Sequence, residues 1–347
     1  MDAPRQSAAA GFGRRWFMVR PPEGGRVDPL VSVRSDIAAA IAARRPVVAL
    51  ESTVIAHGLP RPHNVDTALQ MEAAVREAGA LPATIAVLDG QLVVGLTEEQ
   101  IAGIAVSAGV AKASSSDLSA ILLSRKTGAT TVAATVYVAA RAGIPIAATG
   151  GIGGAHRGCE TTFDISADLT EMARTPVAVV SSGAKVILDL PRTVEILETM
   201  GVPVVGYRTT EFPAFYSQES GLPLHHRVET PEEAARLLAI HRELGQLKRG
   251  AQPGMLIVNP PPVEKALPRG EVEALVADAI RKAEARGISG KAVTPFLLGQ
   301  LAQTSGGRTL EANIALLIAN ARLAAQIAVA YSLGTGDRAQ QDQAANR

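Results

Sequence analysis

The sequence predicts an α/β fold in a single domain: a central mixed sheet covered by helices on both faces (α/β/α). Three observations lead there. Short, continuously apolar segments such as PVVAL, IPIAA, PVAVV and MLIV read as strands buried on both sides. Between them lie stretches of helical periodicity. No fixed-period repeat and no linker-like stretch interrupts 31–332.

The elements follow in order. SDIAAAIAARRP reads as a helix capped by Ser35, and PVVALES as a buried strand. A Pro-rich loop, GLPRPHN, leads to a helix over 66–78. ATIAVLDGQLVVGL is a hairpin, because Asp89-Gly90 suits a type I′ turn. Thr97 and Gln100 stand at capping-box spacing. SDLSAILLSRKTG and ATVYVAARAG read as helices, IPIAATGG and TPVAVVSSG as strands. VPVVGY and GMLIVNP are two more strands, with the helix PEEAARLLAIHREL between them. Three helices end the chain: GEVEALVADAIRKAEARG, TPFLLGQLAQT and TLEANIALLIANARLAAQIAVAYS. The last stretch carries an apolar stripe, Leu310, Ile314, Leu317, Ala321 and Ile327, widened by Leu316, Leu323 and Ala324. Either it is buried within one chain, or one face meets a neighbouring subunit. Residues 1–28, with Arg5, Arg14, Arg15 and Arg20 among Pro, Gly and Ala, read as a disordered or variable extension. They lack the apolar core of a secretory signal. Residues 336–347 read as a frayed polar tail, and 29–335 as one α/β domain.

Composition narrows the function. Of 347 residues, 47% are hydrophobic and 19% charged, which excludes disorder as the main state. The net charge of +1 shows no basic excess, so nucleic acid is not an expected partner. No apolar run approaches the roughly 18 residues that span a bilayer, so no membrane partner is expected. The single cysteine, Cys159, excludes an intrachain disulfide and a cysteine-based zinc cage, and suits a reducing, cytoplasmic setting.

In sheets of this kind, ligands bind beyond the carboxyl ends of the strands. There the sequence places Glu51-Ser52-Thr53, the run Thr149-Gly150-Gly151-Ile152-Gly153-Gly154 before His156, then Ser181-Ser182-Gly183-Ala184-Lys185, and Asn259-Pro260. Each reads two ways. Glu51 is either a solvated rim residue or an acid held beside the sheet. The glycine run is either a tight turn or a phosphate cradle, and it lacks the spacing of a dinucleotide fingerprint. Asp168 with Glu171 fits a capping box, whereas Asp164 near Ser166 and Asp168 is a hard-cation ligand set. Lys112 before a serine run either holds a phosphate or opens a helix. Lys185 and Asn313 can simply face water, and His225-His226 has no partner at metal spacing. On these residues alone, the chain is an α/β enzyme handling a small anionic ligand.

The combination is more specific. ESTVIAHGLPRPHN, KASSSDL, TGGIGGAHRG, DISADLTEMARTPVAVVSSGAK and NPP occur in this order. Together they resemble the pseudouridine-5′-phosphate glycosidases, also called indigoidine synthase A-like proteins, from about residue 35 to residue 332. The resemblance implies reversible cleavage of the C-glycosidic bond of pseudouridine 5′-phosphate to uracil and ribose 5-phosphate. It also implies that Glu51 is the proton donor and Lys185 the nucleophile, forming a Schiff base. By the same resemblance Asp164 holds Mn²⁺. Lys112, Val132, Ser166, Ala167 and Asp168 contact substrate, and His156 and Asn313 belong to the active site. A homotrimer is implied as well. Ser181-Ser182 stands where members often carry Cys-Ala, and Arg61 and His63 vary the Pro-rich loop. The chemistry agrees, since a C–C bond offers no leaving oxygen to protonate, whereas a lysine forms an imine with the sugar carbonyl carbon. Two alternatives stay open: another Schiff-base carbon–carbon lyase acting on a phosphosugar, and a non-catalytic nucleotide-binding protein.

Overall fold

Eleven strands form one mixed sheet among the described residues of a computed structural model, 30–246, 252–288 and 293–345, with side chains as far as 334. They are β1 (Val31–Val33), β2 (Val47–Leu50), β3 (Leu81–Leu88), β4 (Gln91–Val94), β5 (Ala111–Ala113), β6 (Gly128–Thr130), β7 (Ile146–Ala148), β8 (Ala178–Ser181), β9 (Val204–Tyr207), β10 (His226–Val228) and β11 (Met255–Val258). The order is β1-β4-β3-β2-β7-β8-β11-β9-β10, with β6 on β3 and β5 on β6. Antiparallel pairing occurs where β3 meets β4 and β6; the other pairs are parallel.

The predicted α/β/α layering is present. Helix Val132–Ala142 packs on β2 and β7 from one side, and the last helix, Arg308–Ala345, packs on the same two strands from the other. A strand touched by two helix layers must be apolar on both faces, and every residue of β2, β7, β8 and β11 is buried. Bulk comes from Ala, Val, Ile and Leu, as a chain with 3% aromatic residues requires.

Several local readings hold. Asp89 and Gly90 take φ of +50° and +79°, both left-handed, as a type I′ turn demands. Thr97 and Gln100 form the expected reciprocal capping box. Others are corrected. Ser35 begins its helix, but Arg34 occupies the cap and makes no side-chain capping bond. The helix expected over 66–78 spans His63–Glu77, starting directly after Pro62, whose fixed φ suits a helix start. A helix at Leu190–Thr199, capped by the Asp189 carboxylate, and a π-helical turn at Val54–Gly58 carry no apolar run long enough to read from sequence.

The last helix also corrects the expectation about apolar length. Arg308–Gly334 holds an 18-residue window of mean hydropathy 1.6, long and apolar enough to cross a membrane by composition. Half of that window is buried within the chain, against helices His63–Glu77 and Pro231–Gln246 and the sheet. Leu316, Leu317, Ala321, Leu323, Ala324 and Ile327 are all in that core, while Leu310 and Ile314 are partly buried. The expected extension, 1–28, lies outside the described residues. Within the expected tail, 336–347, the backbone stays in the last helix to Ala345, and its side chains lie outside the described residues.

Gly90 supplies a stability test of the hairpin. A Cβ there would sit 2.9 Å from the Leu122 carbonyl oxygen at a φ that side chains avoid. Gly90→Ala is expected to cost about 1–2 kcal/mol in thermal or chemical unfolding. An unchanged unfolding midpoint would contradict the turn assignment.

Candidate active site at the strand ends

Strand register places the first pair of groups. Leu50 of β2 lies opposite Ala148 of β7, and Ala148 lies opposite Val180 of β8. The next residues, Glu51 and Thr149, are therefore level, and the Thr149 hydroxyl donates to Glu51 Oε1 at 3.0 Å. Thr53 donates to the other oxygen, Oε2. Glu51 is 6% exposed, so the carboxyl group is not the solvated rim residue of the alternative reading. Ser52 anchors this strand end by donating to the Ile85 carbonyl at 2.6 Å and accepting from the Thr130 amide at 2.8 Å.

Lys185 enters from the neighbouring loop. Its amide donates to the Ile152 carbonyl, and the Ile152 amide donates to the Gly183 carbonyl, each at 3.0 Å. This pair of bonds fixes the lysine loop to the glycine run. Lys185 Nζ then donates to the Gly151 carbonyl at 2.9 Å. Glu51 and Lys185 thus come from strands separated only by β7 and share the loop that follows it.

The glycines serve close packing. A Cβ on Gly153 would fall 2.2 Å from Ser166 Oγ, one on Gly154 2.3 Å from Thr193 Oγ1, and one on Gly151 2.7 Å from the Phe215 ring. The capping-box reading of Asp168 and Glu171 is corrected at the same place. Ser166 is the cap of helix Ala167–Met172, and it accepts from the Asp168 amide. The Asp168 carboxylate instead accepts from two separate backbone segments, the Ala133 amide at 2.8 Å and the Gly153 amide at 2.7 Å. Glu171 accepts from the Thr175 hydroxyl at 2.6 Å.

Every residue predicted for the site lines one cleft of about 320 Å³: Glu51, Lys112, Val132, His156, Asp164, Ser166, Ala167, Asp168, Lys185 and Asn313. Thr53 and Thr149, which the sequence placed at strand ends without a role, line the same cleft; sequence reasoning missed His57, Thr131, Phe215 and, from helix Val293–Thr304, Thr294 and Leu298. Thr53 and Thr149 stand inside the strand-end motifs, and only their hydrogen bonds to Glu51 give them a part in the site. His57 and Phe215 are brought in by tertiary packing and carried no local signal. His225-His226 lies elsewhere, at the β10 edge.

Electrostatically the cleft is mixed. Burial lowers the His156 pKa below its ordinary value, Lys112 and Lys185 lower it further, and Asp164 opposes them. Burial and then Lys112 do the same to His57. Both imidazoles are therefore neutral near pH 7 and available as acceptors as well as donors. Asp164 could hold a divalent cation: its side chain is 51% exposed and stands 3.8 Å from His156 Nδ1. Among the described residues no three His, Cys, Asp or Glu side chains converge. One open carboxylate fits a hard cation that keeps most of its water.

The family described as Indigoidine synthase A like protein matches residues 36–330. A Paracoccus denitrificans protein named pseudouridine-5′-phosphate glycosidase is 52% identical over 306 residues, 88% of this chain and 99% of the relative. One of the same name from Herpetosiphon aurantiacus is 55% identical over 295 residues, 85% of this chain and 96% of the relative. Among solved structures, the prealnumycin C-glycosynthase AlnA in complex with ribulose 5-phosphate superposes with a TM-score of 0.82 at 42% identity. That match covers 90% of this chain and all of AlnA. An indigoidine synthase A-like protein from Thermotoga maritima gives 0.78 at 37% identity, over 87% of this chain and 97% of that one.

Asp168→Ala strips two backbone amides of their shared acceptor. The expected loss is about 2–4 kcal/mol in denaturant unfolding, from unpaired polar groups beside the cleft. A loss below about 0.5 kcal/mol would show that water replaces the carboxylate without cost.

Proposed function

The chain belongs to the indigoidine synthase A like family, and on that premise we propose that it cleaves the C-glycosidic bond of pseudouridine 5′-phosphate reversibly, giving uracil and ribose 5-phosphate through an imine on Lys185. The observation that carries the reading is the meeting of Glu51 and Lys185 in one cleft, each held by the loop after β7. The names of relatives at about half identity over nearly their whole length support the substrate. AlnA, with ribulose 5-phosphate bound, supports a pentose phosphate in this fold.

In this mechanism the Glu51 carboxyl group gives its proton to the ribose ring oxygen as the C1′–O4′ bond breaks. The Thr53 and Thr149 hydroxyls orient the carboxyl group and, as rotors, turn to accept when it carries the proton. Lys185 Nζ, as the free amine, forms a bond to C1′. The ammonium formed on Lys185 passes its surplus proton to the Glu51 carboxylate, which delivers it to uracil C5; the C1′–C5 bond breaks, and the nitrogen lone pair completes C=N. Water hydrolyses the imine, releasing ribose 5-phosphate and restoring Lys185. Lys112 supplies positive charge to the phosphate, and the surfaces of Val132, Ser166, Ala167 and Asn313 shape the remainder of the substrate site. Mn²⁺ would be held by Asp164 largely through water, and when bound it supplies positive charge against substrate oxygens. The homotrimer and the cytoplasmic setting are part of the same proposal.

The test is incubation with pseudouridine 5′-phosphate and Mn²⁺, following uracil and ribose 5-phosphate. Lys185→Ala should abolish turnover while the fold persists, and retention of a substantial fraction of activity would contradict the covalent route. Glu51→Gln is expected to lose roughly 10²–10⁴-fold, and an unaltered pH–rate profile would remove it from the acid's role. Chelation should inactivate the wild type and added Mn²⁺ restore it. AlnA favours a second reading, C-glycosidic chemistry on a different aglycone. Failure to release uracil, with turnover of another C-glycoside, would select it.

A further inference from the structure

Glu51 and Lys185 are both referenced to residues 149–151, and something must fix those residues in turn. The carbonyls of Thr149 and Gly150 face the last helix. There Asn320, with no exposed surface, donates from Nδ2 to both, at 2.9 and 3.3 Å. Its Oδ1 accepts from Asn259 Nδ2 at 3.0 Å, just beyond β11. Ser182 Oγ completes the cluster at 3.2 Å from Nδ2. Carbonyls only accept, so the amide has one orientation that satisfies all its partners. Asn320 does not line the cleft. It lies seven residues, or two turns, beyond Asn313, which does.

We propose that Asn320 is a positioning residue: its side-chain amide clamps the Thr149 and Gly150 carbonyls, and through Thr149 and Gly151 it sets Glu51 and Lys185 relative to each other. This rests on the roles given to that pair above. The path is short. Asn320 holds the Thr149 carbonyl, and the Thr149 hydroxyl holds Glu51. Asn320 holds the Gly150 carbonyl, and the next carbonyl, of Gly151, accepts from Lys185 Nζ. An apolar side chain of equal size would fill the space but leave the two carbonyls without this donor. Misplacing reacting groups lowers turnover more than binding.

The experiment compares kcat and KM for pseudouridine 5′-phosphate cleavage in the wild type, Asn320→Leu, Asn320→Asp and Ile327→Ala. Ile327 is buried two turns further along the same helix and serves as a packing control. Asn320→Leu should lower kcat about tenfold to a hundredfold with KM little changed, while Ile327→Ala lowers the melting temperature but leaves kcat near the wild-type value. Asn320→Asp adds a readout that packing would not move. Its neutral carboxyl group can donate to the Thr149 carbonyl and its carboxylate cannot. Its deficit against the wild type should therefore shrink as pH falls from about 8 to about 5. Asn259→Leu, which removes the donor fixing the amide, should lower kcat in the same direction and decides the matter if the Asn320 variants do not fold. A kcat in Asn320→Leu equal to that of Ile327→Ala, a pH curve in Asn320→Asp parallel to the wild type, or an unaffected Asn259→Leu would overturn the proposal. A wild type that releases no uracil would instead overturn the reading beneath it.

Discussion

Three strand ends meet at residues 149–154, and the backbone there runs so close to its neighbours that a methyl group has no room. The rest of the site depends on that crowding. Ser166, Thr193 and Phe215 each occupy the space where a Cβ of the glycine run would stand. The loop consequently has few conformations open to it, and its polar groups have assigned partners. Asp168 takes the Gly153 amide, the Lys185 loop takes Ile152 on both its amide and carbonyl, and Asn320 takes the carbonyls of Thr149 and Gly150. Rigidity is built from short distances and satisfied hydrogen bonds, with no disulfide to assist.

That arrangement explains how a carboxyl group and an amine are both held in one cleft. Glu51 is set by strand register and two hydroxyl donors. Lys185 is set by a backbone bridge and a carbonyl. Both frames refer to the same loop, so relative displacement of acid and amine requires moving the loop itself. Preorganisation of this kind is where positional accuracy turns into rate. It also separates the site from an ordinary anion pocket, which would need positive charge and little else.

Much of this was legible in the sequence. The buried strands were readable because parallel strands covered on both faces must be continuously apolar, and the hairpin because Asp-Gly tolerates positive φ. The residues expected at the site were drawn as a set from their ordered motifs, and all of them line one cleft. Single-residue roles were harder. Asp168 beside Glu171 has capping-box spacing, yet its carboxylate serves two backbone segments that lie 15 and 35 residues away. Asn313 drew attention on the last helix, while Asn320, which shares its face, looked like any polar residue on an apolar stripe. Its role exists only once β7, β8 and β11 end side by side. The apolar length of the last helix was underestimated because Arg322 interrupts the run, while an 18-residue window there still has a mean hydropathy of 1.6.

In the proposed mechanism Lys185, set against Glu51 across one loop, forms a covalent link to the sugar. Borohydride reduction during turnover of pseudouridine 5′-phosphate, followed by peptide mass analysis, tests it most directly, because two lysines line the cleft. The expected product is a reduced ribosyl phosphate adduct on Lys185 and none on Lys112. An adduct on Lys112, or turnover with no trapped species on either lysine, would contradict it.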